Sequence, residues 1–232
     1  ICFIRTPKQM GQEPAGLELA KQEAAEAAKN ADSLPGVTKK EALKSFSFWM
    51  LVIGFVLAIT AAYGFISYNA AYWQTMGMTP GDSANWNAIW LVLSAIILIF
   101  AGKMFKKIGN KGFTVYVCLT FALSCFMMIV WGQTMEVGML VLVVILAALG
   151  YPLCAAFPTL VAHSIFGPKE IGAIIGTAMT AVYAGQAIGP VTFSAFVASG
   201  WDLVWTLWAV MALVGMVFIL LACIKAPYKL KK

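Results

Sequence analysis

Six long apolar segments, separated by short polar connections, dominate the chain from residue 46 onwards. A helix needs about 20 mostly apolar residues to cross the hydrocarbon core of a bilayer. The segments have 18 to 32 residues, and tilt or overhang into the interface accommodates the departures from that length. The pattern therefore predicts an all-α integral membrane protein with a bundle of six transmembrane helices. The six predicted spans are Phe46–Trp73, Ala84–Ala101, Phe113–Trp131, Met135–Phe166, Ile171–Ser199 and Trp201–Ile224.

The polar connections alternate in charge along the chain. Lysine and arginine occur before the first span, in the second and fourth connections and after the last span, whereas the other connections hold only Asp82, Glu136 and Asp202. Because basic residues are enriched in cytoplasmic connections, both ends of this segment are predicted to be cytoplasmic. The expected location is the cell (plasma) membrane, which the chain crosses several times.

The residues before the first span have a different character. The opening Ile1–Ile4 is apolar and runs straight into Arg5, so residues 1–9 are expected to be the end of a preceding transmembrane helix. The stretch Leu17–Ala31 is rich in Ala, Glu and Lys, which favours a solvated helix. We interpret residues 10–45 as a cytoplasmic central connector, 46–225 as the six-helix bundle and 226–232 as a basic cytoplasmic tail.

Composition supports a membrane location and excludes several classes of function. Hydrophobic residues make up 61% of the 232-residue chain and charged residues 11%, against roughly half and a quarter in a soluble domain. The net charge of +6 comes from the connections, so nucleic-acid binding is not expected. The five cysteines lie in apolar stretches without a CxxC pair, and the single histidine has no acid beside it. The sequence therefore predicts no enzyme, no cofactor and no metal site.

Neutral polar and aromatic side chains are the candidates for solute binding, because Asp, Glu, Lys and Arg are missing from the interior of every predicted span. On the first span, a polar face with helical spacing carries Thr60, Tyr63 and Ser67. Asn69 and Tyr72 lie towards its outer end. We expect these side chains to line a water-filled path. Helix packing through small and hydroxyl side chains is the alternative.

The fifth span carries Tyr183, Gln186 and Pro190 on one stripe. An amide in the middle of a span must be satisfied by another group or by solute, so Gln186 is the best single candidate for a binding residue. An interhelical hydrogen bond is the alternative role of its side chain. The span also contains two GxxxG patterns, a spacing that lets helix backbones approach closely. They are Gly172–Gly176 and Gly185–Gly189.

The fourth span contains Tyr151-Pro152 and later Pro158. Proline lacks the backbone N–H that continues a helix, so an interruption of this span is expected. Interrupted helices expose backbone groups near the binding sites of transporters, which makes Tyr151 a further candidate for the solute path. A purely structural kink is the alternative.

The connection between the second and third spans reads Gly102-Lys103-Met104-Phe105-Lys106-Lys107-Ile108-Gly109-Asn110-Lys111. It resembles the cytoplasmic loop motif G-x-L-x-D-R-x-G-R-K of the major facilitator superfamily, which lies between the second and third helices of each six-helix half. Lys106 replaces the acid of that motif and Asn110 replaces a base. The resemblance implies a gating loop formed by Gly102, Lys106, Lys107, Gly109 and Lys111.

The resemblance also implies an architecture and a function. The six spans would be helices seven to twelve, the C-terminal half of the fold. Their partners would be the N-terminal six-helix half of the same chain, the lipid bilayer and a small-molecule solute. The implied function is secondary active transport, as an antiporter or symporter, by alternating access. A membrane sensor or scaffold that keeps the transporter fold without transporting is the alternative.

Two stretches are similar to the oxalate/formate antiporter group of that superfamily, namely Ala42–Trp49 and Tyr183–Gln186. Members of the group with a substrate-binding lysine place it where Gln186 falls. They also carry an arginine in helix eight that aligns roughly with Leu98. Because both charges are missing here, the resemblance favours a monocarboxylate, another small organic anion or a neutral solute over a dianion such as oxalate.

Overall fold

The part of the chain that the structure describes is helical. The computed structural model describes residues 34–153, 155–197 and 199–227, and these contain helices and no strand. The all-α expectation is therefore confirmed for the described residues. The helices are α1 (Lys39–Lys44), α2 (Phe46–Thr75), α3 (Pro80–Thr134), α4 (Val137–Gly150), α5 (Phe157–Phe166), α6 (Ile171–Val197) and α7 (Trp201–Ile224).

Helix α3 folds back on itself at Gly109. A straight helix of its 55 residues would be about 80 Å long, more than twice the ~30 Å hydrocarbon core of a bilayer. Gly109 has φ 76° and ψ 174°, a backbone conformation that is essentially restricted to glycine. The rings of Phe105 and Phe113 meet at 5.4 Å between centroids, which a straight helix would not allow. α3 is thus a helical hairpin with arms 80–108 and 110–134.

The hairpin corrects the expected connection between the second and third spans. The sequence predicts a loop of ten residues from Gly102 to Lys111, but these residues are helical on both sides of Gly109. The prediction is wrong in the extent of the loop, because one glycine in a left-handed conformation is sufficient to reverse the chain.

Three of the described helices are long and apolar enough to cross a membrane by length and composition. They are α2, the α3 hairpin and α7. α4, α5 and the 171–187 part of α6 are shorter apolar helices. The number of six crossings stays a prediction.

The expected interruption of the fourth span is present between α4 and α5. α4 ends at Gly150, a 3-10 turn covers Tyr151–Leu153, and α5 begins at Phe157. Pro158 stands in the first turn of α5, where its missing N–H costs nothing. Gly150 allows the break to lie close to α3, since a Cβ there would stand 3.0 Å from the backbone of Phe121.

α2 is the central helix and crosses α7 at a pair of glycines. A Cβ on Gly215 would stand 2.8 Å from the carbonyl oxygen of Gly54, and a Cβ on Gly54 would stand 2.9 Å from that of Gly215. Among apolar helices in lipid, such close packing rather than the hydrophobic effect holds neighbours together. Further along α2, the ring of Phe65 packs against Trp205 of α7 at 5.4 Å between centroids.

The lysines of the described residues gather at one end of the bundle, called the basic end below. Here the backbone N–H of Val37 donates to the carbonyl of Phe166 at 2.9 Å. The hydroxyl of Ser47 donates to the carbonyl of Lys225 at 2.6 Å. The lysines concerned are Lys39, Lys40, Lys44, Lys103, Lys106, Lys107, Lys111, Lys169 and Lys225.

Candidate functional site

α2 and α6 run side by side in the same direction, away from the basic end. Near the middle of both helices, a Cβ on Gly185 would stand 2.9 Å from Thr60 Oγ1 and 3.0 Å from Val56 Cγ1. Gly185 therefore lets α6 approach α2, as its GxxxG spacing allows. Gly172 and Gly176 do not act in this way, since a Cβ on either would have no described atom within 4 Å.

Two polar atoms at this level of the α2–α6 seam are buried and have no hydrogen-bond partner among the described residues. They are Thr60 Oγ1 and Gln186 Nε2. Gln186 follows Gly185 directly, so its Cα lies ~3.8 Å from that of Gly185. Each unpaired polar atom costs roughly 1–3 kcal/mol, and native proteins keep few of them. A hydrogen-bonding group of a solute is one partner that could satisfy such an atom.

A cavity leads from the basic end towards this pair. It has a volume of about 620 Å³ and lies between α1, α2 and α6. Its inner end is formed by Val52 and Ala184, next to the Val56–Gly185 contact. We call this cavity the vestibule. Its lining residues are Lys39, Leu43, Phe48, Trp49, Val52, Ala173, Gly176, Thr177, Thr180, Ala181 and Ala184.

The electrostatic character of the seam is neutral. Neither α2 nor α6 contains Asp, Glu, Lys, Arg or His along its whole length. Lys39 at the basic end is the charged side chain of the vestibule. The seam can therefore recognise a solute through hydroxyl, amide and aromatic groups, while a charge is offered only at the mouth of the vestibule.

Three other predicted path residues lie on exposed or half-buried faces of the same two helices. Tyr63 is half-buried on α2, and the exposed Ser67 one turn further donates its hydroxyl to the Tyr63 carbonyl at 2.8 Å. Tyr183 is 59% exposed on α6, one turn before Gln186. The structure places Tyr63 and Tyr183 within one turn of Thr60 and Gln186, respectively.

Asn69 and Tyr72 point away from the seam and into the packed interior. Asn69 is fully buried and donates its amide to Asn87 Oδ1 on α3 at 3.2 Å. Tyr72 is fully buried, and its ring meets that of Trp205 at 5.1 Å between centroids. Both side chains have contacts that connect helices, which corresponds to the packing alternative for this end of the span.

Tyr151 lies in the interruption between α4 and α5, away from the α2–α6 seam. Its ring stands perpendicular to that of Trp90 on α3, with 5.9 Å between centroids. The indole Nε1 of Trp90 is buried without a partner among the described residues. Tyr151 and Trp90 border a small cavity of about 10 Å³, which is space for a single water molecule.

The residues of the predicted gating loop surround the reversal of α3 at the basic end. Gly102, Lys106, Lys107, Gly109 and Lys111 are all exposed. Asn110, which stands where the family motif has a base, donates its amide to Cys223 Sγ on α7 at 3.2 Å. The reversal is thus attached to α7 by a neutral contact rather than by an ion pair.

The structure also contains a residue of the seam that the sequence reading did not single out. Tyr68 donates its hydroxyl to the carbonyl of Pro190 at 2.7 Å, one turn beyond Gln186. Its position eight residues after Thr60, on the same side of α2, could have signalled this role. Among the described residues, no group of three or more His, Cys, Asp or Glu is placed to hold a metal ion.

A family model described as Major Facilitator Superfamily matches residues 2–190 of the chain. The match covers about four fifths of the 232 residues and includes Thr60, Gly185 and Gln186. No curated protein matches the chain.

Proposed function

The chain belongs to the major facilitator superfamily, and from that premise we propose that it moves a small organic solute along the α2–α6 seam. Membership makes it a multi-pass membrane protein and a secondary transporter of small solutes, in a family that is generally not enzymatic. The observation that carries the proposed path is the pair of unpaired buried atoms, Thr60 Oγ1 and Gln186 Nε2. Both lie in the middle of apolar helices, where transporter sites are found.

The chemistry of the seam supports a monocarboxylate as the solute, with a neutral molecule next in order. A monocarboxylate can accept a hydrogen bond from the Gln186 amide and another from the Thr60 hydroxyl. A dianion would enter a region with no opposing charge on α2 or α6, which is costly in a low-dielectric site. Leu98, where the oxalate/formate group carries an arginine, is likewise uncharged.

We propose that the protein lies in the plasma membrane. In the proposed orientation, its basic end faces the cytoplasm. Support comes from the lysines, which collect at that end, while Asp82, Glu136 and Asp202 lie at the opposite end. In this proposal the bundle is the C-terminal half, helices seven to twelve, and rocks against an N-terminal half of the same chain. The α3 reversal with Lys106, Lys107 and Lys111 would lie at the cytoplasmic gate.

Counterflow in liposomes tests the proposed function. The full parent protein is reconstituted and offered a panel of monocarboxylates, dicarboxylates, sugars and amino acids. Gln186→Ala is compared with Gln133→Ala, since Gln133 is an exposed amide at the other end of the bundle. We expect uptake of a monocarboxylate that falls at least tenfold in Gln186→Ala and stays unchanged in Gln133→Ala.

The other outcomes separate the parts of the proposal. Uptake that both variants keep would retain the transporter and remove Gln186 from the site. Uptake of dicarboxylates in preference to monocarboxylates would contradict the proposed solute class. A well-folded protein that moves no member of the panel would favour the sensor or scaffold alternative.

A further inference from the structure

Helix α1 lies across the mouth of the vestibule. Its residues Lys39 and Leu43 form the wall at the basic end, opposite the walls that α2 and α6 provide. A solute that enters the vestibule from the basic end therefore passes beside α1. This short helix belongs to the connector and is not one of the predicted spans.

The start of α1 is attached to the turn between α5 and α6. The backbone N–H of Lys39 donates to Glu170 Oε2 at 2.7 Å, and the N–H of Val37 donates to the carbonyl of Phe166 at 2.9 Å. Gly36 fits closely against this turn, because a Cβ there would stand 3.0 Å from the Phe166 carbonyl oxygen and from the Lys169 backbone nitrogen. Residues 36–39 thus form a strap on the α5–α6 turn.

The other hydrogen bonds of α1 connect it to its own start and to α2, and the Glu41 carboxylate is also attracted to Lys169 on the α5–α6 turn. Thr38 and Glu41 form a reciprocal capping box at its start. The pKa of the Glu41 carboxyl is held below its usual value, first by the backbone N–H of Thr38 and then by its hydroxyl, so the cap is ionised at neutral pH. At the other end, Trp49 Nε1 of α2 donates to the Leu43 carbonyl at 3.0 Å.

A hinge separates α1 from α2. Ser45 is the only residue between the two helices and has an extended backbone, with φ −79° and ψ 140°. Its hydroxyl donates to the Ala42 carbonyl at 2.7 Å and accepts from the Phe48 N–H at 3.2 Å. Rotation at this one residue would swing α1 away from the vestibule without unwinding either helix, but it would also break the Trp49–Leu43 bond and expose Ala42, which is fully buried.

We propose that α1 is a lid on the cytoplasmic mouth of the solute path, and that the Glu170 carboxylate latches it through the Lys39 backbone N–H. The inference rests on the proposed path through the α2–α6 seam and adds its regulation. When the latch is closed, the lid covers the inner part of the vestibule, where Phe48 and Val52 are buried, whereas the α6 wall at Ala181 and Ala184 stays exposed. When the latch opens, the α5–α6 turn and the connector are free to move independently.

The test uses accessibility to a thiol reagent and does not depend on transport. In the full chain with its native cysteines replaced by alanine, Val52→Cys, buried at the inner end of the vestibule, is labelled by a membrane-impermeant methanethiosulfonate from the basic side. Lys39→Pro removes the donated N–H and keeps the helix, because proline is favoured at the first helical position. Thr38 is already extended at ψ 158°, as a residue before proline requires.

Lys39→Pro and Glu170→Ala should each raise the labelling rate of Val52→Cys on the order of tenfold, the loss expected for one charge-assisted hydrogen bond. Their effects should not add in the double variant, since both break the same bond. Lys39→Ala removes the ammonium group from the vestibule wall and keeps the N–H, so it is the reference for Lys39→Pro and should label about tenfold more slowly than that variant. Ala222→Cys, fully buried on α7 near the same end of the bundle, reports general loosening and should not change.

Three results would overturn the lid. They are an unchanged rate at Val52→Cys in both latch variants, an equal rise in Lys39→Ala, or a parallel rise at Ala222→Cys. Counterflow measured on the same samples keeps the two proposals apart. Transport with unaltered labelling would reject the lid alone, whereas altered labelling without any flux would retain the lid and reject the solute path.

Discussion

The hydroxyl of Tyr68 donates a 2.7 Å hydrogen bond to the carbonyl oxygen of Pro190, which connects the middle of α2 to α6 one turn beyond Gln186. Pro190 stands inside α6 and has no N–H to donate to the Gln186 carbonyl, so the helix is weakened at this point. The Tyr68 hydroxyl does not replace that bond, since it donates to the Pro190 carbonyl, but it ties the weakened turn of α6 to α2. This bond fixes the position of Gln186 against the seam.

Removing this hydroxyl should therefore weaken both folding and transport. Tyr68→Phe keeps the ring contacts with Trp201 and Trp208 and loses only the bond to Pro190. We expect a loss of stability of about 0.5–1.5 kcal/mol and a raised KM for the solute. Thermal unfolding in detergent and counterflow measure the two effects. Tyr116→Phe is the control, because the Tyr116 hydroxyl is buried without a partner among the described residues. A larger loss in the control would reject this account.

The unpaired hydroxyl of Thr60 predicts effects of opposite sign on stability and function. Thr60→Val keeps the side-chain shape and removes a buried oxygen that has no partner, so the variant should be more stable by up to about 1 kcal/mol. If that oxygen binds solute, uptake falls at the same time. Thr114→Val should behave in the reverse manner, since Thr114 is buried and donates to the Asn110 carbonyl at 2.9 Å. If Thr60→Val proves less stable than the parent, the hydroxyl of Thr60 contributes to packing and is not reserved for solute.

The reversal of α3 makes Gly109 sensitive to a single methyl group. The space around it is open, so the cost of Gly109→Ala comes only from φ 76° and should be about 1–3 kcal/mol. Gly102→Ala has equally open surroundings and an ordinary helical backbone, so it should be neutral or stabilising by about 0.5–1 kcal/mol. Melting temperatures of the two variants in detergent compare them directly. Equal melting temperatures would show that the reversal is not strained by alanine.

Helical periodicity and hydropathy were sufficient to predict the helices, the interruption near Tyr151 and the gathering of lysine at one end. They were not sufficient to predict which glycines carry the packing. The GxxxG spacing singled out Gly172 and Gly176, yet both have open space beside them among the described residues. Spacing on one helix says nothing about its partner, and the α2–α7 crossing joins Gly54 to Gly215, far apart in sequence. For the same reason the sequence suggested Gln186 and a close approach at Gly185, but not that Thr60 of α2 is the residue approached.

A methyl group added at the crossing of α2 and α7 should therefore destabilise the bundle, whereas a methyl group added at the GxxxG site of Gly172 and Gly176 should not. A Cβ on Gly215 would stand 2.8 Å from the Gly54 carbonyl oxygen and 3.0 Å from the Ala58 nitrogen, and backbone atoms cannot rotate away. Gly215→Ala must push the two helices apart, which we expect to cost about 1–3 kcal/mol, as overpacking does in other cores. Gly172→Ala meets nothing within 4 Å and should leave the melting temperature unchanged or raise it. Gly215 meets α2 at Gly54 and Ala58, on the face of the helix opposite to Val56 and Thr60, so the folded fraction of Gly215→Ala should keep the parent KM. A changed KM would mean that the crossing of α2 and α7 sets the geometry at Thr60 as well as the stability of the bundle.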